Sequence, residues 1–183
     1  YSYSTRKEYI WPNKTSVRMK NLNVFAASVL CMSLLCQCTA SRHLRMAEKN
    51  AETVRLWFEE GWNHNRNEEL LERVFAPDWA DGNPLRPDQT TGIEGMREFV
   101  HFYQKAFKDA HFTITHLFAS DDKVAIRYEV SAIHVGHAFG VPPTGKKFNS
   151  TGILIYDMKD GKIHRTWQEL DLMGIIKQLD SDE

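Results

Sequence analysis

The chain has little cysteine: it contains three, Cys31, Cys36 and Cys38, all before residue 41. A disulfide framework, a cysteine metal site and a cysteine nucleophile are therefore not expected in the rest of the chain. It also lacks an excess of charge, because 23 basic and 24 acidic residues give a formal net charge of -1. Five of the basic and one of the acidic residues precede residue 41, so the remainder is mildly acidic. Nucleic acid, whose phosphates attract clustered positive charge, is therefore not an expected partner.

The longest uncharged apolar run lies near the N-terminus. Residues 1–18 show no helical or strand period and precede the first methionine, so we interpret them as upstream or vector-derived sequence outside the fold. Lys20 and the apolar run 22–35 follow. This run is shorter than the about 20 apolar residues of a membrane span and is typical of an export signal. We therefore predict that residues 19–40 are a secretory or lipoprotein signal.

Two processing routes fit this signal. Small residues before Ser41 suit cleavage after Ala40, whereas a degenerate lipobox over 35–38 would lead to lipidation of Cys38. Gln37 suits the second route poorly, and an uncleaved membrane anchor is the third alternative. Either route predicts a periplasmic or lipid-anchored protein that meets the membrane only through this segment.

The first half of the body has the period of helices. Apolar residues at helical spacing predict a helix over Met46–Trp62, and a second, short helix over Glu68–Phe75 ends at Pro77. The Pro-, Gly- and Asp-rich stretch 78–92 predicts a loop. A third helix is predicted over Gly92–Lys108.

After Ala110 the apolar period becomes two, which is typical of strands. A hairpin is expected at Asp160-Gly161, because Asp-Gly adopts positive φ readily. Asp171 is a natural N-cap for a last short helix over Leu172–Leu179. Helices followed by antiparallel strands define an α+β fold, in which a curved antiparallel sheet packs against three N-terminal helices over residues 46–180. The four predicted strands are Phe112–Phe118, Val124–Val135, Lys147–Met158 and Ile163–Leu170.

Several short motifs occur in a characteristic order: His134-Val-Gly, then Gly-Val-Pro-Pro-Thr-Gly-Lys over 140–146, then Asp-Gly-Lys-Ile over 160–163. Trp167, Asp171, Gly174 and Gln178-Leu179 follow. Together they resemble the SnoaL-like polyketide cyclase family, also called ester cyclases, and the resemblance covers about residues 48–179. It implies the cone-shaped α+β barrel of ketosteroid isomerase relatives.

The resemblance also implies a chemistry. In that family a cavity between helices and sheet holds a flat, apolar ester, and a carboxylate removes a proton α to a carbonyl. The resulting enolate closes a ring, which requires a tuned acid/base and hydrogen-bond donors near the oxyanion but no metal or cofactor. Aligned without a gap, Gln168 falls at the catalytic aspartate of the cyclases and Leu154 at a partner histidine. A neutral amide cannot abstract a proton.

Four residues are candidates for the reaction. His134 matches the family motif. It either contacts a ligand or caps the end of its strand by a hydrogen bond to the backbone. Gln168 either orients a ligand or satisfies a buried polar neighbour. Glu169 and Asp171 are the nearest carboxylates, although a regular strand turns both away from Gln168. No metal site is expected, because His134 and His137 point to opposite faces of a strand.

The predicted partner is a small hydrophobic molecule, and two functions remain open. One is acid/base cyclisation or isomerisation of a small apolar carbonyl or ester compound, and the other is non-catalytic binding of such a compound by an exported protein. A homodimer formed through the exposed sheet face is also expected. The candidate ligand-binding residues, most of which also suit an ordinary core, are Trp57, Asn83, Tyr103, Tyr128, Phe148 and Leu154.

Overall fold

The computed structural model describes residues 39, 41–84 and 89–180. The chain divides into two compact units, residues 1–42 and 43–183, and the fold belongs to the second. The upstream segment and, apart from Thr39, the predicted export signal lie outside the described residues. Among the helices of the described ranges, none is both long and apolar enough to cross a lipid bilayer.

Four helices surround the sheet. The first, α1, runs through residues 41–56 and continues as a π-helical turn. Its inner face is formed by the predicted apolar stripe, of which Ala51, Val54 and Trp57 are buried. The π-helical turn packs on the strand Phe107–Ala119, the helix Gly92–Ala106 packs on the strand Phe75–Asp81, and the last helix packs on the strand Lys147–Lys159. The bounds are Trp57–Asn63 for the π-helical turn, Asn67–Val74 for α2, Gly92–Ala106 for α3 and Leu172–Asp180 for α4.

One five-stranded sheet has the order β1-β5-β4-β3-β2. All neighbours are antiparallel except β1 and β5, which run parallel. The predicted α+β class, with a curved sheet packed against helices, is confirmed. The strands are β1 Phe75–Asp81, β2 Phe107–Ala119, β3 Lys123–His134, β4 Lys147–Lys159 and β5 Lys162–Leu170.

Strand β1 is absent from the sequence prediction, which gave a helix end and a loop there. Pro77 lies inside this strand rather than simply ending α2. The strand accepts a proline because it lies at the sheet edge and its pairing with β5 is interrupted between Phe75 and Ala80. The ladder therefore does not need the missing N–H of Pro77.

The boundary between α3 and β2 also differs from the prediction. The helix ends at Ala106, and β2 begins at Phe107, five residues before the predicted start. A bulge between Lys108 and His111, with Asp109 at φ 50°, breaks the period of two. The ring of Phe107 packs at 5.3 Å from that of Phe148, so tertiary contact recruits it into the strand.

Asn50 and Thr53 are among the side chains that connect α1 to the hairpins of the sheet. Asn50 is fully buried, and its Nδ2 donates to the carbonyl oxygens of Ser120 and Asp121, both at 3.0 Å. Thr53 Oγ1 donates to the carbonyl of Gly161 at 3.0 Å. In that hairpin Asp160 and Gly161 have φ values of 54° and 80°, which confirms the predicted turn. These bonds set the height of α1 above the sheet.

Candidate functional site

A cavity of about 50 Å³ lies between the helices and the inner face of the sheet. Its lining is mostly aromatic, and none of the described residues that form it carries a charged side chain. Only Phe99 and Gln168 are half-buried, whereas the other lining residues are buried, so these two mark the mouth. The lining residues are Trp57, Phe58, Trp62, Phe75, Met96, Phe99, Tyr103, Phe112, Tyr128, Leu154, Tyr156, Thr166 and Gln168.

The π-helical end of α1 supplies both lining tryptophans. Residues five apart lie about 140° apart around an α-helix, but a π-helical turn bonds residues i and i+5 and brings them to one side. Trp57 and Trp62 therefore share a face, with ring centroids 5.6 Å apart in an edge-on arrangement. A Cβ at Gly61 would lie 3.0 Å from the Trp57 ring, so the absence of a side chain helps to seat that indole.

An asparagine joins this turn to the sheet. Asn63 Nδ2 donates to the carbonyl of Phe112 at 2.9 Å, and the backbone N–H of Phe112 donates to Asn63 Oδ1 at 2.8 Å. The amide thus pairs with the free edge of β2 as another strand would. Phe112, a lining residue, is held at a fixed distance from the tryptophans.

Three tyrosine hydroxyls belong to the cavity: those of Tyr103, Tyr128 and Tyr156. Burial raises the pKa of each phenol well above its usual value, and interaction with Tyr128 raises the pKa of the other two further. All three are therefore neutral O–H donors near neutral pH. Among the described residues, the buried side-chain atoms without a hydrogen-bond partner are Asn50 Oδ1, Asn67 Nδ2 and His134 Nε2, and the three phenol oxygens are not among them.

Gly152 makes room for the central phenol. It pairs with Tyr128 across β3 and β4, and the tyrosine side chain lies flat over it. A Cβ at Gly152 would come within 2.5 Å of Cζ and Oη of Tyr128. Because real Cβ atoms do not approach so closely, any other residue would push the phenol out of position.

We expect Gly152→Ala to cost about 1–3 kcal/mol of unfolding free energy, because the methyl group overpacks against Tyr128. Urea unfolding measures this cost. Thr151→Ala, on the exposed neighbour, is the matched control. A combined Gly152→Ala/Tyr128→Leu variant should recover part of the loss, and equal stability of Gly152→Ala and the wild type would contradict this placement of the ring.

Gln168 and Leu154 face each other at the cavity across β5 and β4. Asn83 Nδ2 donates to the Gln168 carbonyl at 2.6 Å, and the Gln168 N–H donates to Asn83 Oδ1 at 2.8 Å. The N–H and C=O groups of Gln168 thus point away from β4. Gln168 and Leu154 therefore form a non-hydrogen-bonded pair, in which the two Cα atoms lie closer together than in a hydrogen-bonded pair. Thr166, which also lines the cavity, accepts with its Oγ1 from Trp79 Nε1 at 2.9 Å.

The candidate residues from the sequence separate into two groups. Trp57, Tyr103, Tyr128, Leu154 and Gln168 come together at the cavity. The sequence reasoning did not select the other eight lining residues. Tyr156 and Thr166 could have been found, because the period of two and the hairpin place them on the same sheet face as Gln168.

The other candidates lie outside the lining. Phe148 is fully buried beside Phe107, and Asn83 contacts the backbone of Gln168. Glu169 is exposed on the opposite face of β5. Asp171 caps α4, since its Oδ1 accepts from the N–H of Gly174 at 2.9 Å.

His134 also lies outside the cavity. It is fully buried at the end of β3, with its ring centroid 5.8 Å from that of Phe107. Its Nδ1 lies 3.2 Å from Thr144 Oγ1, and its Nε2 has no hydrogen-bond partner in the described ranges. Burial lowers its pKa from 6.5, an effect that the Gly136 backbone partly offsets. The imidazole is therefore held neutral near neutral pH.

This burial predicts a pH-dependent stability. Because the folded pKa of His134 lies below its unfolded value of 6.5, its contribution is complete above that pH and is lost as the pH falls below it. Urea unfolding between about pH 8 and about pH 5 should show this loss in the wild type. His134→Gln should flatten the curve in that window, whereas the control His64→Gln should not. An unchanged slope in His134→Gln would argue against a neutral buried imidazole.

In the part of the chain that the structure describes, no three His, Cys, Asp or Glu side chains come together in a way that could hold a metal ion. What the site offers is a small, uncharged, aromatic chamber with phenol donors inside and an amide at its mouth.

Comparison with known proteins agrees with this fold. The model of the SnoaL-like polyketide cyclase family matches residues 52–179, so the chain belongs to that family. It is 26% identical over 123 residues to aklanonic acid methyl ester cyclase DnrD of Streptomyces peucetius, covering 66% of this chain and 83% of that protein. It is also 26% identical over 121 residues to nogalonic acid methyl ester cyclase of Streptomyces nogalater, covering 64% and 88%.

Solved structures show the same architecture. TsrD from Streptomyces laurentii superposes with a TM-score of 0.61 at 27% identity, covering 74% of this chain and 96% of that one. IdmH from Streptomyces antibioticus has a TM-score of 0.60 at 27% identity, covering 72% and 99%.

Proposed function

We propose that this protein binds a small, neutral, largely apolar carbonyl or ester compound in the cavity. The observation that supports this most directly is that three buried tyrosines line the cavity and carry hydroxyl donors. A hydrogen bond from one of these hydroxyls to a ligand oxygen contributes about 0.5–1.5 kcal/mol. The aromatic walls favour an apolar ligand for the same reason that they exclude water.

The lining favours binding over turnover. Abstraction of a proton α to a carbonyl needs a general base within reach of that proton. The described residues that line the cavity include neither a carboxylate nor an imidazole. Asp171, the carboxylate that follows β5, accepts a helix-capping bond instead. Phenols that stay protonated act as hydrogen-bond donors rather than as bases.

A second candidate function is ester cyclisation, which the names of the curated relatives favour. The neutral phenols would suit an enolate oxyanion, as preorganised donors do in acyl and enol chemistry. The base would then have to come from outside the present lining. Incubation with a polyketide methyl ester separates the two functions, because binding leaves the ester unchanged and cyclisation converts it.

The binding proposal predicts that the protein purified from cells carries a carbonyl compound, detected by native mass spectrometry and identified after release. Leu154→Trp should abolish retention, since a large indole fills a cavity of about 50 Å³. Ile153→Trp is the matched control, because Ile153 lies on the opposite face of β4 and is 50% exposed. Failure of the wild type to retain a compound or to bind added ketones would overturn the proposal.

We also propose that a second copy of the chain covers the outer sheet face. Ile153, Ile155 and Trp167 are exposed there, and Ile155 pairs directly with Trp167. An adjoining group of exposed large apolar side chains favours association, since burying it removes apolar surface from water.

Ile155→Lys should shift sedimentation equilibrium from dimer to monomer, because it would bury an unpaired charge. The control Met173→Lys, at an exposed apolar position on α4, should leave the mass unchanged. A monomeric wild type at high concentration would rule out this interface.

A further inference from the structure

We infer that the cavity encloses only the terminal carbonyl head of a longer neutral compound, with Tyr128 as the central donor to its oxygen and the apolar remainder passing out between Phe99 and Gln168. This inference rests on the proposed function and narrows its ligand to methyl ketones and acetate esters. It follows from the size of the cavity, the placement of its donors and the position of its mouth.

The volume sets the size of the enclosed part. Pockets that bury a whole drug-sized ligand occupy about 300–1,000 Å³. The present cavity has about 50 Å³, and in the same measure about 10–15 Å³ is needed to hold one water molecule. It therefore admits only a few non-hydrogen atoms, as in an acetyl group. Close-packed aromatic walls resist enlargement, because they already contact one another.

The tyrosine hydroxyl donors lie inside the cavity, where the terminal carbonyl group of the ligand would be placed. A Cβ at Gly152 would lie 2.5 Å from Cζ and Oη of Tyr128, and the Phe112 ring lies 5.8 Å from the Tyr128 ring and 6.0 Å from the Tyr103 ring. Tyr128 and Tyr103 therefore border the same wall of the cavity. A guest oxygen near Tyr128 has further donors close by, whereas a guest that carries only C–H groups cannot accept from any of them.

The lining also determines the charge of the ligand. No charged side chain lines the cavity among the described residues, so an ionised guest would lose its hydration without gaining a counter-ion. A carboxylic acid or an amine is therefore disfavoured, whereas a ketone or an ester is accepted.

The opening of the cavity leaves room for the rest of a longer ligand to extend into solvent. Phe99 of α3 and Gln168 of β5 are the half-buried members of the lining, so the passage to solvent lies between an aromatic ring and an amide. Asn83 holds the Gln168 backbone at 2.6 Å and 2.8 Å, which fixes one side of this passage. An alkyl tail would contact the ring, and a polar group placed along it would meet the amide.

Isothermal titration calorimetry of the full chain with three probes tests this inference. They are 2-octanone, its isostere 2-methyl-1-octene, and 4-octanone, in which the carbonyl is internal. We expect 2-octanone to bind about tenfold more tightly than the other two, the value of one net hydrogen bond of about 1.4 kcal/mol. Tyr128→Phe should remove this preference and leave the affinity for 2-methyl-1-octene unchanged, which also shows that the variant is folded.

The outcomes separate the inference from the proposed function. If none of the probes binds saturably, the proposed function itself fails. If the ketone and the alkene bind equally, or if Tyr128→Phe retains the preference, the cavity binds apolar guests but the assigned donor is wrong. If 4-octanone matches 2-octanone while both exceed the alkene, entry by the terminal carbonyl is wrong.

Discussion

The structure depends on the packing of three buried tyrosines around one cavity between the helices and the sheet. Tyr103, Tyr128 and Tyr156 place their rings in the core, where they bury a large apolar area, but each ring brings a hydroxyl that water would otherwise satisfy. A cavity of about 50 Å³ collects these hydroxyls instead of closing over them. Gly152 is part of the same arrangement, because its missing side chain makes room for the Tyr128 ring.

Amide side chains form hydrogen bonds with the backbone of the strands around this interior. Asn63 pairs with the backbone of Phe112, Asn83 with that of Gln168, and Gln178 with that of Asn149 at 3.0 Å and 2.8 Å. In each case one amide supplies both a donor and an acceptor, as a neighbouring strand would. Two of the three hold residues that line the cavity. The sheet is thus completed by helices and loops at the places where its own ladder stops.

The chain shares the fold of the SnoaL-like family, and aromatic, amide and hydroxyl side chains line its cavity. Gln168 and Leu154 face each other at the cavity, where the family resemblance leads one to expect a carboxylate and an imidazole. His134, which carries a family motif, is buried outside the lining and held neutral. The same architecture can therefore present a chamber of hydrogen-bond donors in place of an acid/base pair, since function depends on the residues placed on a fold.

Local spacing by itself determined the class of fold, the buried stripe of α1, the face of β3 that carries Tyr128, the Asp160-Gly161 hairpin and the family. These features follow from periods of 3.6 and 2, from turn chemistry and from short motifs, all of which act between near neighbours. Only the tertiary structure decided that Pro77 lies in an edge strand, that α1 ends in a π-helical turn, and that Phe148 packs beside Phe107 outside the cavity lining. These outcomes depend on which distant strands pair and in what register, and no local pattern contains that information.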